Sequence, residues 1–63
     1  SQYIKEIQDS GKLLILSDMS KWEVSSFDAF HTRMWMKLDN ITVSGSRLIN
    51  TSRNNQAVSA RRF

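Results

Sequence analysis

Short runs in which polar and apolar residues alternate one for one set the terms for this chain. Lys21-Trp22-Glu23-Val24 and Asn40-Ile41-Thr42-Val43-Ser44 follow that alternation, and Gln56-Ala57-Val58-Ser59-Ala60 follows it more weakly. Period two is what a strand needs to put one face on a core and the other in water. Lys12 to Ser17 differs, because Leu13-Leu14-Ile15-Leu16 is apolar on both faces and suits a central strand or one covered on both sides. Arg47 to Asn50 is a further short strand candidate. The links between these runs carry turn chemistry. Asp9-Ser10-Gly11 closes a hairpin, with Gly11 supplying the positive φ such loops need. Ser17-Asp18-Met19-Ser20 brings Asp and Ser side chains that cap a turn, and Ser44-Gly45-Ser46 joins two strands by the minimum distance. Asn54-Asn55 accepts left-handed geometry at modest cost and fits the last turn. Several short strands on tight turns predict a small barrel or rolled sheet.

Two segments resist this pattern. Tyr3, Ile4 and Ile7 fit one helical face, and they fit a bulged first strand reaching Asp9 equally well. The strand is preferred, because the turn at Asp9 to Gly11 feeds straight into the next one. Ser25 to Met36 predicts one helical turn near Ser26 to His31, with Ser26 as its cap and Asp28 near its N-terminus. Phe27, Phe30 and Met34 then share a face. So short a helix does not stand alone and is expected to pack that face on the sheet.

The chain has 63 residues and no Cys, so a single domain spanning residues 1–63 is expected, without a disulfide or Cys-based metal staple. A chain this short buries only about 60% of the surface its unfolded form exposes. Nearly every large apolar side chain must therefore be used, or a partner must supply more surface. The longest apolar run, Leu13 to Leu16, falls far short of the roughly 20 residues that cross a bilayer, so membrane insertion is not expected. No signal-peptide pattern stands at the N-terminus, and a start at Ser1 fits a processed or trimmed precursor. Charge is unevenly placed. Up to Ser46 there are five bases and six acids; from Arg47 onward there are four arginines and no acid, within a total of +3. An acid-free tail holding Arg47, Arg53, Arg61 and Arg62 attracts polyanions or an acidic partner surface.

The run from Gly11 to Val24, Gly-Lys-Leu-Leu-Ile-Leu-Ser-Asp-Met-Ser-Lys-Trp-Glu-Val, resembles a pattern in short bacterial proteins of uncharacterised function. Those proteins read Gly, an apolar strand, Asp-Gly-Ser-x-Trp-x-Val, then an Asp, a Trp, an Asp-x-Val-x-Val strand and Leu-x-Asn. Asp28, Trp35, Asp39-Asn40-Ile41-Thr42-Val43 and Leu48-Ile49-Asn50 fall in that order here, so the similarity covers most of the chain. Met19 stands where the pattern has Gly, which leaves the tight turn there to be explained. The resemblance implies a small β-barrel, often exported to the periplasm or secreted, with no catalytic residue.

Candidate functional groups are few. Trp22 is expected in the core, between exposed Lys21 and Glu23. Met34-Trp35-Met36 sets three bulky side chains in succession, and an outward Met or Trp there marks a binding patch where it is not core or oligomer packing. His31 is the chain's one histidine, and with no Cys it lacks the ligands of a metal site and the partners of a nucleophilic triad. It is expected on a solvated turn. Asp18, Asp28 and Asp39 recur near strand ends, where turn capping explains them better than acid–base chemistry. The formal glycosylation triplets at Asn40 and Asn50 lie in or beside strands and are discounted.

These observations predict an all-β domain, a small five- to six-stranded SH3-like barrel with one short helical turn. Its expected core is Leu14, Leu16, Trp22, Val24, Phe27, Phe30, Ile41, Val43, Leu48 and Val58. The expected function is non-enzymatic, a binding or assembly module with no cofactor, no metal and no small-molecule substrate identified. Its partner is a protein or a second copy of the chain, met by Phe30, Met34, Trp35 and Met36, with Arg47, Arg53, Arg61 and Arg62 steering. The alternative is a single-stranded nucleic-acid binder, in which those arginines contact phosphates and Trp35 stacks on a base.

Overall fold

The computed structural model describes all 63 residues. Six strands, β1 (Gln2–Gln8), β2 (Leu13–Leu16), β3 (Lys21–Val24), β4 (Asn40–Ser44), β5 (Arg47–Asn50) and β6 (Gln56–Arg62), close into an antiparallel barrel in the order β1-β2-β3-β6-β5-β4. Two three-stranded meanders thus pair edge to edge, β3 against β6 and β1 against β4. The long connection from β3 to β4 carries the one α-helical turn, α1 (Ala29–Thr32). The first segment is the expected bulged strand, its register slipping between Ile4 and Glu6. β6 runs two residues further than the alternation suggests, so Arg61 and Arg62 lie opposite Glu23 and Trp22.

The turns behave as their chemistry requires. Asp9, Ser10 and Gly11 all have positive φ, as do Asn54 and Asn55. Gly45 alone is left-handed in the two-residue β4–β5 link, the Gly-first arrangement that follows strand twist. Met19, at φ 72°, holds the left-handed position that glycine occupies in the similar pattern, so the turn forms without the glycine. Asp18 compensates: its Oδ1 accepts from the Ser20 N–H at 2.9 Å and from the Ser20 hydroxyl, which itself accepts from Trp22 Nε1. The turn is thereby tied to the indole that fills the barrel.

The core is Ile4, Leu14, Leu16, Trp22, Val24, Trp35, Ile41, Leu48, Val58 and Ala60. Three expected members are not in it. Val43 points inward by parity, but β4 pairs with β1 only at Asn40 and Ile41, so Val43 overruns its neighbour and stands exposed at the rim. Phe27 and Phe30 lie on the outer face of the β3–β4 connection. Trp35, Ile4 and Ala60 take the vacated places.

Candidate functional site

The β3–β4 connection turns out the face that its hydrophobicity would have turned in. From Ser25 to Trp35 the backbone winds through successive helical turns, with the N–H groups of Asp28, His31, Arg33, Met34 and Trp35 each bonding three or four residues back. On such a path Ala29, Thr32 and Trp35 form one stripe, and Phe27, Phe30 and Met34 another. One close contact decides between them. Gly11 lies against the first stripe, where a Cβ would meet Thr32 Oγ1 at 2.7 Å, Arg33 N at 2.8 Å and Ala29 O at 3.0 Å. Only small, shape-matched residues fit there, and Thr32 uses its hydroxyl to donate to the carbonyls of Gly11 and Ala29. Phe27 or Phe30 in that place would overpack it. Ser26 is not the cap; Ser25 Oγ accepts from the Phe27 N–H, Asp28 precedes the helix, and the Asp28 carboxylate accepts from Ser59 N on β6 at 2.9 Å.

Trp35 follows on the inward stripe. It is 3% exposed, and its Nε1 donates to Gln56 Oε1 at 2.6 Å. An indole N–H only donates, so the Gln56 amide is oriented with Nε2 toward His31 Nδ1, 2.9 Å away. His31 is therefore half-buried on α1 rather than on a solvated turn, with the Phe30 ring tilted over it at a centroid separation of 4.0 Å. Trp35 is core and has no face left for a partner or a base.

What remains outside on this connection is a strip of large apolar side chains. Phe27 is 84% exposed, Phe30 55%, Met34 70%, Met36 62% and Leu38 72%. Phe30, Met34 and Met36 were legible as surface candidates, whereas Phe27 and Leu38 were not. Leu38 is the more telling, because its φ of 74° is a conformation that glycine adopts freely and leucine does not. Its N–H bonds Ile4 O at 2.9 Å and Asp39 O accepts from Ile4 N, which returns the chain to the barrel wall. Two bases, Arg33 and Lys37, and two acids, Asp28 and Asp39, are interleaved with the strip. Arg33 makes no ion pair, and Lys37 meets Glu6 at 3.3 Å across the surface.

The four late arginines are not gathered into a groove. Arg53 Nε bonds Asp39 Oδ2 at 2.8 Å, and Arg61 Nε bonds Glu23 Oε1 at 2.8 Å, so two of the four already hold carboxylates. Arg47 sits at the start of β5 and Arg62 near the end of β6, both exposed. Asp39 is the centre of a polar corner. Its Oδ2 also accepts from Asn50 Nδ2 at 3.0 Å and from Met36 N at 3.1 Å. Burial alone would raise this carboxyl; the hydrogen bonds from Asn50, Met36 and Arg53, with the Arg53 charge, outweigh it and hold it below the ordinary 3.8. Asp18 is also held low, chiefly by the Ser20 hydroxyl and then by the Ser20 N–H. Both aspartates are thus turn fasteners, and Asn50 is fully buried and closed to glycosylation. Comparison with protein-family models, with curated proteins and with solved structures finds no match to this chain.

Proposed function

We propose that this chain is a non-enzymatic binding or assembly module, an SH3-like member of the short bacterial barrel class it resembles, acting through protein–protein contacts. The observation that carries the reading is the strip Phe27, Phe30, Met34, Met36 and Leu38, five large apolar side chains exposed within twelve residues. Exposed apolar surface of this kind costs solubility and is characteristic of interaction sites. Two of the five are methionines, whose flexible thioethers adapt to partner surfaces. Leu38 adds a backbone cost to a solvation cost, and a contact with a partner accounts for both. Another protein with an apolar centre, or a second copy of the chain, complements the strip, and an acidic group on a different protein would meet Arg33, which makes no ion pair. The nucleic-acid reading loses support, since its stacking residue Trp35 is buried and Arg53 and Arg61 are paired.

A photo-reactive amino acid placed at Phe30 is expected to crosslink one defined protein in cells, while the same group at Ala57, exposed on β6, does not. Light scattering on the purified chain then separates a second copy from a different protein. Equal crosslinking at both positions, or none at Phe30, defeats the reading.

A further inference from the structure

A second site lies at one mouth of the barrel, next to the start of the apolar strip, since its lining reaches Ser26 and the strip begins at Phe27. A cleft of about 410 Å³ opens there, lined by Lys12, Val24, Ala60, Glu23, Arg61 and the serines Ser25, Ser26, Ser46 and Ser59. Its position follows from the topology. Val24 pairs with Ala60 where β3 meets β6, and Ser25 N donates to Ser59 O just beyond. Lys12 enters from one side, its carbonyl accepting from Val24 N. Ser46 enters from the other, its carbonyl accepting from Ala60 N. Three strand ends and the second half of β6 therefore bring two cations and four hydroxyls to one concave surface.

The chemistry of the lining selects a ligand class. Only two of the nine lining residues, Val24 and Ala60, are apolar, so the directional contacts the cleft offers come from polar and charged side chains. Lys12 makes no ion pair, and Arg61 offers only its Nε to Glu23, leaving the terminal nitrogens of the guanidinium free to donate. Ser25 Oγ accepts from Phe27 N, and the hydroxyls of Ser26, Ser46 and Ser59 have no partner within the chain. Glu23 is the one carboxylate in the lining, which by itself carries a net charge of +1, and the Asp28 carboxylate stands beside it, accepting from Ser59 N at 2.9 Å. Hydroxyls and cations converging without carboxylate excess suit an oxyanion, with charge-assisted hydrogen bonds to its oxygens. The volume lies within the range of small-molecule sites, about 300–1,000 Å³, and exceeds what a bare phosphate fills. We infer that this mouth binds a tetrahedral oxyanion, free or borne on a small polar organic body.

Amide chemical shifts of the labelled full chain, titrated with inorganic phosphate and separately with glycerol phosphate at constant ionic strength, test the inference. Saturable shifts centred on Lys12, Ser25, Ser26, Ser46 and Ser59 are expected with both. Tighter binding of glycerol phosphate assigns the site to phosphate monoesters, and equal binding assigns it to the free ion. Lys12→Gln is expected to weaken binding at least fivefold, whereas Glu23→Gln is expected to tighten it by removing the opposing charge and freeing Arg61. Both side chains are exposed, so these variants fold. Shifts that do not saturate, that chloride reproduces, or that Lys12→Gln and Glu23→Gln leave unchanged overturn the inference.

Discussion

Two neighbouring regions of this molecule invert the usual sorting of side chains. At the Asp39–Asn50–Arg53 corner a fully buried asparagine and a half-buried ion pair occupy the wall of the barrel. A few residues earlier, Phe27, Phe30, Met34, Met36 and Leu38 face water. The polar corner is tolerated because each donor finds an acceptor: Asn50 donates to Asp39 and accepts from Ser52 N, and no buried side-chain polar atom in the chain is left without a partner. The apolar strip has no such internal justification. Satisfied polar groups inside are a structural solution, while apolar groups left outside are not explained by packing within the chain.

The largest expected effect separates the two stripes of the connection. Trp35→Ala removes a buried indole and costs about 3–5 kcal/mol, a large share of the roughly 3–9 kcal/mol that about 0.05–0.15 kcal/mol per residue gives a chain of 63 residues. Phe27→Ala, on the exposed stripe, is expected to stay within about 0.5 kcal/mol. Urea unfolding followed by near-ultraviolet dichroism reads both. Equal losses would mean that the inward and outward faces have been confused.

Next in size is the contact that chooses the stripe. Gly11→Ala puts a Cβ 2.7 Å from Thr32 Oγ1 and 2.8 Å from Arg33 N at a φ of +90°. Left-handed strain of about 1–2 kcal/mol and overpacking of about 1–3 kcal/mol act together. Adding Thr32→Ala removes one clash but leaves the backbone atoms Arg33 N and Ala29 O in place, so the double variant is expected to recover little. Full recovery in calorimetry would show that the approach is governed by the threonine side chain alone.

The polar corner is probed by acid. The Asp39 carboxyl is held below its ordinary 3.8, so its contribution is complete above that value and is lost as pH falls through the lower folded value. Asp18 acts in the same direction. Wild-type stability is therefore expected to decline between pH ~5 and pH ~2, and Asp39→Asn to flatten that decline. Asp39→Ala leaves the Asn50 amide without its acceptor, a loss of about 1–3 kcal/mol at neutral pH. A decline as steep in Asp39→Asn as in the wild type would remove Asp39 from this account.

These regions also differ in how far the amino-acid order revealed them. Period two placed β3 and β4, and more weakly β6, because barrel strands must alternate, and the turn at Asn54-Asn55 followed from local backbone preference. The connection was opaque for a physical reason. A helical period offers two stripes, and apolarity favours Phe27, Phe30 and Met34. The choice was made instead by Gly11, more than twenty positions away from Thr32 and joined to it by one hydrogen bond. Val43 was misplaced because alternation reports parity and not where the neighbouring strand stops. The surface candidates Met34 and Met36 were legible from three bulky side chains in succession, and Leu38 was hidden because a left-handed φ leaves no mark on a leucine.

The smallest effect carries the most information about function. Met19 and Leu38 are exposed and left-handed, at φ 72° and 74°, and glycine at either site relieves the backbone while removing apolar surface from water. Met19→Gly and Leu38→Gly are each expected to stabilise the fold by roughly 0.5–1 kcal/mol, less the extra flexibility glycine gives the unfolded chain. If the strip meets a partner, the two variants part company there. Met19→Gly sits in the β2–β3 turn and leaves crosslinking through Phe30 unchanged, whereas Leu38→Gly weakens it despite the gain in stability. A residue whose removal improves the fold and damages the contact has been kept for the contact, and a Leu38→Gly chain that is more stable and crosslinks undiminished would return the strip to mere exposed surface.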